Sequence, residues 1–267
     1  MTEATRIRDR IDTAARFTES DAVRLNRLFK GTDTIEMLTT LLRERMAGDV
    51  AIVSSFGAES AVLLHLVSQV DPAVPVLFLE TGKHFPETLQ FRDLLAERLG
   101  LKDLRNLQPD ARKLAERDET GLRWSYDPDG CCEIRKVEPL ARELAHFDAS
   151  ITGRKSFQSQ TRENLPRFEI DSSDAQGRLK INPLIDWSPE RIAAYVEEHA
   201  LPAHPLVSQG YPSIGCSPCT SKVAPGEDPR SGRWRGWDKT ECGIHVPEGT
   251  SEDSTQTDLP PGYDPFF

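Results

Sequence analysis

The chain has 267 residues, 37% hydrophobic and 7% aromatic, which suits one α/β domain with a modest appendage and excludes a disordered or fibrous chain. Its longest apolar stretch, Ala73 to Leu79, is far below the ~20 residues a membrane helix needs, and its mixed-charge N-terminus lacks the apolar run of a secretory signal, so no membrane span and a cytoplasmic address are expected. A net charge of −10 argues against general nucleic-acid binding, and an anionic ligand would have to be met by local basic clusters.

Apolar positions at three- and four-residue spacing predict two leading helices, Asp21 to Leu28 and Thr34 to Met46. Asp49 to Ser54 reads as a buried strand, running through the turn Ser54-Ser55-Phe56-Gly57 into a helix over Glu59 to Val70. Val76 to Leu79 is a second strand, followed by a polar loop and a helix from Pro86 to Leu99. Next come a third strand near Leu104, a short helix over Ala111 to Arg117, and a helical stripe from Ile134 to Leu144, bent or restarted at Pro139. Ala149 to Thr152 is a fourth strand and Leu179 to Ile181 a short apolar stretch; Ser188-Pro189-Glu190 then caps and starts a helix to about His199. Strands and helices alternate, and the strands are buried rather than half-polar. That pattern predicts a doubly wound, mainly parallel α/β sheet covered on both faces. Beyond Leu201 the periodicity gives way to Pro, Gly and Cys, and no internal repeat occurs. Residues 246–267 hold Glu248, Glu252, Asp253, Asp258 and Asp264 without a Lys or Arg, half the net charge, and predict a disordered tail.

The turn SSFGAES at 54–60 is a candidate phosphate cradle, because small residues let backbone N–H groups approach an anion at a helix N-terminus. An ordinary β–α turn has the same spacing, and the Gly-Lys-Ser/Thr ending of a P-loop is absent. In the next loop Leu79 and Thr81 could line a base pocket, while Glu80 and Glu87 would equally suit solvated positions. Five cysteines in a reducing compartment argue against a disulfide framework. Cys131-Cys132 with Cys216-x-x-Cys219 suggest four ligands of one metal centre. Adjacent thiols cannot form a zinc knuckle, which favours an iron–sulfur cluster over zinc, with buried thiols as the plain alternative. Cys242 stands apart, near Lys239 and His245, whose charges would favour a thiolate; an incidental surface cysteine would also fit. Basic residues gather at Arg135-Lys136, at Arg154-Lys155 with Arg162, and at Arg230, Arg233 and Arg235. Each group alone reads as a solvated face; together they read as an anion clamp.

These stretches resemble the assimilatory sulfonucleotide reductases, which act on adenylyl sulfate (APS) or phosphoadenylyl sulfate (PAPS), and in particular the iron–sulfur APS reductase type. SSFGAES at 54–60, LETGKHFPET at 79–88, CCEIRK at 131–136, TGRKSFQSQTR at 152–162, GYPSIGCSPCT at 210–220, RSGRW at 230–234 and ECGIH at 241–245 follow the family's order. The resemblance implies an adenine-nucleotide hydrolase (ATP pyrophosphatase-like) fold. It also implies thioredoxin-dependent reduction of APS to sulfite and AMP, a step of sulfate assimilation and cysteine biosynthesis. By the same resemblance Cys242 is the catalytic thiol that becomes an S-sulfocysteine, and Cys131, Cys132, Cys216 and Cys219 ligate a [4Fe–4S] cluster. Lys136, Arg162, Arg230 and Arg233 would grip the phosphosulfate over Ser54, Ser55 and Gly57, with Leu79 and Thr81 flanking adenine. The chain then divides into a helical segment (1–48), a nucleotide-binding core with the cluster site (49–220), a catalytic segment (221–245) and the acidic tail (246–267). No fused redoxin domain fits, so thioredoxin or glutaredoxin is the expected external partner; a homo-oligomer is left open. The cluster cysteines go with APS, whereas SSFGAES is closer to the PAPS-type loop, so PAPS or both nucleotides stay open.

Two other classes share parts of the pattern. An ATP pyrophosphatase would carry Ser-Gly-Gly-x-Asp-Ser, where this chain has Phe56 for the first Gly and Glu59 for the Asp. An iron–sulfur redox sensor working through Cys242 would release no sulfite and would be expected to carry a DNA-binding element, of which the sequence gives no sign.

Overall fold

The computed structural model describes residues 15–244, so the acidic tail and His245 lie outside the described residues. Six strands form one sheet: β1 (Val50–Ser54), β2 (Val76–Leu79), β3 (Leu104–Leu107), β4 (Ala149–Thr152), β5 (Phe168–Ile170) and β6 (Leu179–Ile181). Their order is β3-β2-β1-β4-β6-β5, with every neighbouring pair parallel except β5 and β6. From β1 the chain builds outward to β3, then returns to lay β4 against the other side of β1. Strand order therefore reverses between β1 and β4, the place where a doubly wound sheet opens a crevice at its carboxyl ends.

Side-chain alternation serves both faces. Val50, Ile52, Val76 and Phe78 enter one core, whereas Ala51, Leu77 and Leu79 enter the other. The first core is closed by α2 (Thr34–Arg43), α3 (Ser60–Val70), α4 (Pro86–Leu99) and α8 (Pro189–Glu198). The second is closed by α7 (Glu138–Leu144), through Leu140 and Leu144, while the short α5 (Ala111–Arg117) follows β3. The predicted bounds of α4 hold because Pro86 starts it and Gly100, at φ 62°, ends it. Among the described residues no helix is long and apolar enough to cross a membrane.

Three local features depart from the sequence reading. The second helix stops at Arg43 rather than Met46, since Arg45 takes φ 51° and the Met46 N–H returns to the Leu41 carbonyl. Strand β5 was not expected. It is a three-residue antiparallel edge, and Asn26 of α1 (Glu19–Leu28) both donates to the Phe168 carbonyl (2.7 Å) and accepts from its N–H (3.1 Å). The bend expected at Pro139 lies upstream. A short helix, α6 (Pro128–Cys132), passes into a π-helical turn over Glu133–Val137, where the Glu138 N–H reaches Glu133 O, before α7 begins. Proline displaces the carbonyl four residues before it, here that of Arg135, and the wider turn absorbs the displacement.

Candidate active site

A cleft of about 500 Å³ opens at the β1/β4 switch point, bordered by Val53, Ser54, Leu79 and Thr152 at the strand ends. That volume suits a nucleotide-sized ligand. Beneath it, the loop after β1 places Phe56 at φ 48°, the left-handed region that glycine fills in the alternative loop motif. The strain, ~1–2 kcal/mol, is offset by the fully buried Phe56 ring, which meets Phe78 edge-on at 5.5 Å. Ser54 Oγ accepts from the Phe56 N–H at 3.2 Å. At Gly57 a Cβ would crowd the Ile214 carbonyl at 3.3 Å. The residue before α3, Glu59, gives the helix no side-chain cap. Its carboxylate instead accepts from Lys155 Nζ (2.9 Å) and Gln158 Nε2 (2.8 Å). Helix α3 thus starts at the cleft with its N-terminus uncapped by a side chain, an arrangement an anion can complete.

The π-helical turn directs two neighbouring cations to different tasks. Arg135 is buried, donating to the Thr81 carbonyl (2.7 Å) and twice to Asp118 Oδ2 (3.2 and 2.5 Å). It braces the loop after β2 and is not a clamp residue. Burial opposes the charge of Asp118, but the bonds from Arg135 and the Arg123 N–H hold its carboxyl below the ordinary range. Lys136 lines the cleft. Burial acts against its charge too, yet the potential of Cys216, Cys132 and Cys242 holds its ammonium above the usual value.

All five cysteines are free thiols. Cys131 lies within electrostatic reach of Cys216 and Cys219, and Cys132 of Cys216 and Cys242. Burial pushes Cys132 and Cys219 up to about 11 each. For Cys216, burial is outweighed by Lys136, the Thr81 hydroxyl at 3.4 Å and Arg233, which together lower it. Among the described residues no three His, Cys, Asp or Glu side chains gather tightly enough for a single metal ion. Four soft donors, three of them buried and Cys219 half-buried, fit a larger polynuclear group, whose thiolates bind different metal atoms.

A C-terminal stretch without helix or strand closes the cleft. It is stitched to the Cys216–Cys219 loop by Ser221 N to Gly232 O (2.8 Å) and Trp234 N to Cys219 O (3.1 Å). Gly215 leaves room there for the Arg233 guanidinium, which a Cβ would displace and which stacks 4.4 Å over Trp234. Arg162 holds the Glu241 carboxylate with two bonds (2.9 and 2.8 Å), while Arg230 donates to the Thr240 carbonyl (2.8 Å) and lies 3.4 Å from Glu241. Lys239 pairs with Asp129, so its charge is engaged rather than left beside Cys242 as the sequence suggested. Half-buried Cys242 follows, and Ile244 packs against the second core.

Most of the expected site residues therefore converge. Ser54, Ser55, Gly57 and Leu79 line the cleft from the sheet side. Lys136, Arg162, Arg230, Arg233 and Cys242 line it from the other. Thr81 does not: its side chain is wholly buried against Cys216, one layer behind the cleft. Cys131, Cys132 and Cys219 also lie behind it, whereas Cys216 reaches its wall. Arg235 is outside, paired with Glu227 on the surface. Sequence reasoning did not find the carboxylate partners Glu59, Asp129, Glu169 and Glu241, nor His84, a cleft residue whose Nε2 is 2.7 Å from the Leu79 carbonyl. The acid beside the cysteine in ECGIH was the one available signal.

Residues 49–222 match the phosphoadenosine phosphosulfate reductase domain. The chain is 48% identical to the adenosine 5'-phosphosulfate reductase of Mesorhizobium japonicum, over 89% of this chain and 92% of that protein. It is 45% identical to the phosphoadenosine 5'-phosphosulfate reductase of Gloeobacter violaceus, over 76% and 85%. The crystal structure of phosphoadenylyl-sulfate reductase from Candida auris superposes with a TM-score of 0.64 at 27% identity, over 79% of this chain and all of that one. Matched by this domain over most of its length and by these relatives across most of theirs, the chain belongs to the sulfonucleotide reductases of the phosphoadenosine phosphosulfate reductase domain family.

Proposed function

We propose that this protein reduces adenosine 5'-phosphosulfate to sulfite and AMP through an S-sulfo adduct on Cys242, using thioredoxin or glutaredoxin as external reductant. The observation that carries the reading is the position of Cys242 in one cleft with Lys136, Arg230, Arg233 and the uncapped start of α3. The Cys242 thiolate attacks the sulfur of the phosphosulfate; the new S–S bond forms as the S–O bond to phosphate breaks, and AMP leaves with the electron pair. Lys136 and the arginines stabilise the charge that grows on the departing phosphate. A thiolate of the reductant then attacks Cys242 Sγ and expels sulfite. The reductant's second thiol resolves the mixed disulfide, returning Cys242 as a thiolate. In this reading residues 49–220 hold the nucleotide and the cluster site, and residues 221–245 deliver the thiol.

Cys131, Cys132, Cys216 and Cys219 would hold a [4Fe–4S] cluster, which supplies structure and a local field for Lys136. A redoxin-dependent cycle and five cysteines outside any disulfide favour the cytoplasm.

The two cations that could meet a 3'-phosphate are buried in the fold and committed to partners there, which supports APS over PAPS. Arg154 is bound to Glu169, Thr152 and Asn182, and Lys155 to Glu59 and the Gly153 carbonyl. Sulfite release from APS and PAPS, measured side by side, tests the substrate. The expected result is a higher kcat/KM for APS, and a higher value for PAPS would overturn it.

A further inference from the structure

Two of the arginines expected to bind the substrate's anion are occupied by an anion of the chain itself. Arg162 and Glu241 make a two-bond pair with side chains only 11% and 12% exposed, and Arg230 completes the cradle from the other side. Ser159 Oγ approaches the same carboxylate at 3.4 Å. Such a charge-assisted, partly buried fork is far stronger than a surface ion pair. Glu241 immediately precedes Cys242, so whatever holds its carboxylate fixes the thiol's position to within one residue.

We infer that Glu241 is a positioning residue for Cys242: its carboxylate docks on Arg162 and Arg230 and holds the thiol segment on the cleft, and the incoming phosphosulfate contends with it for the same two guanidinium groups. The inference rests on the proposed role of Cys242. It has consequences of opposite sign for binding and for transfer. Neutralising Glu241 frees two guanidinium groups, so nucleotide binds more tightly. The same change unties the segment, so sulfur transfer slows even at saturating nucleotide. A side chain that merely supports the fold would weaken both.

The test compares Cys242→Ser with Cys242→Ser/Glu241→Gln for APS binding by calorimetry, since neither variant can react at Cys242. The double variant is expected to bind about 10-fold more tightly, the scale of one charge-assisted bond. With Cys242 present, Glu241→Gln should form the S-sulfo adduct about 10-fold more slowly at saturating APS, and Glu241→Asp should fall between it and the unsubstituted protein. Trypsin should cut after Lys239 faster in Glu241→Gln than in the unsubstituted protein. Equal or weaker APS binding in the double variant overturns the latch, even where the adduct forms on Cys242. Absence of any Cys242 adduct in the unsubstituted protein overturns the proposed function instead, while the binding and proteolysis comparisons still decide whether Glu241 docks the segment.

Discussion

The two walls of the cleft are built by different means. On the sheet side, Ser54 to Ser60 passes from a central parallel strand into α3, anchored by a fully buried Phe56 and by backbone bonds. On the other side, Asp228 to Ile244 forms no helix or named strand. Backbone bonds and the buried Trp234 hold its first part to the Cys216–Cys219 loop; beyond Trp237, ion pairs of Lys239 with Asp129 and of Glu241 with Arg162 and Arg230 join it to the core, with Ile244 packed on the second core. Packed backbone resists displacement, whereas a segment tied by a few polar side chains is released when a competing anion takes their partners. A nucleotide needs a fixed cradle; a thiol that must first meet substrate and then a redoxin needs a carrier that can let go.

Removing the thiol separates the two walls most sharply. Cys242→Ser should cut sulfite release at least ~10³-fold while leaving APS affinity nearly unchanged, because the cradle stays whole. Cys216→Ser should instead lose iron and activity together, which iron analysis of anaerobically purified protein checks. The brace behind the cleft comes next. Asp118→Asn leaves the buried Arg135 without its carboxylate, and should lower stability by ~3–5 kcal/mol in denaturant unfolding.

A smaller effect probes the packing against α4. His204 is buried, accepts the Leu206 N–H on Nδ1 (3.2 Å) and faces Thr88 Oγ1 with Nε2 (3.1 Å), an arrangement only the neutral ring satisfies. Burial lowers it from 6.5 to about 4. Above pH 6.5 the ring is neutral in both folded and unfolded chains. Between 6.5 and 4 the unfolded chain binds a proton that the folded chain refuses, so stability falls as pH falls, by up to ~3 kcal/mol. Denaturant midpoints between pH 6.5 and 5 should decline less in His204→Gln. The smallest effect is on the thiol side. Gly215→Ala would push Arg233 from beneath the Cys216 loop and should raise KM for APS about 10-fold, with kcat nearly kept.

The sheet was legible wherever short apolar strands alternate with capped helices. Pro86 and Gly100 bracket α4, and Ser188 caps α8 with its Oγ on the Arg191 N–H, as their sequence positions imply. Strand β5 was hidden because Phe-Glu-Ile is too short for its alternation to stand out, and its free edge is met by Asn26, 142 positions away. The π-helical turn was hidden for another reason: a helical stripe has nearly the same spacing whether one turn is widened or not. Thr81 was assigned to the base pocket from its place after a strand, but the Arg135 brace turns the loop so that this hydroxyl meets Cys216. Within the site, every motif residue was visible as a residue type. The carboxylates that neutralise Lys155, Arg162 and Lys239 were not, since each pair joins positions 79 to 110 apart.

The central claim is that Cys242, carried by the loosely tied wall, takes the sulfur atom from a nucleotide held by the rigid one. Intact-mass and peptide analysis after one turnover with APS, without reductant, tests it most directly. The predicted result is one added SO₃ group on the peptide containing Cys242, lost with release of sulfite when thioredoxin is added. AMP formation with no adduct, or an adduct on Cys131, Cys132, Cys216 or Cys219, would contradict it.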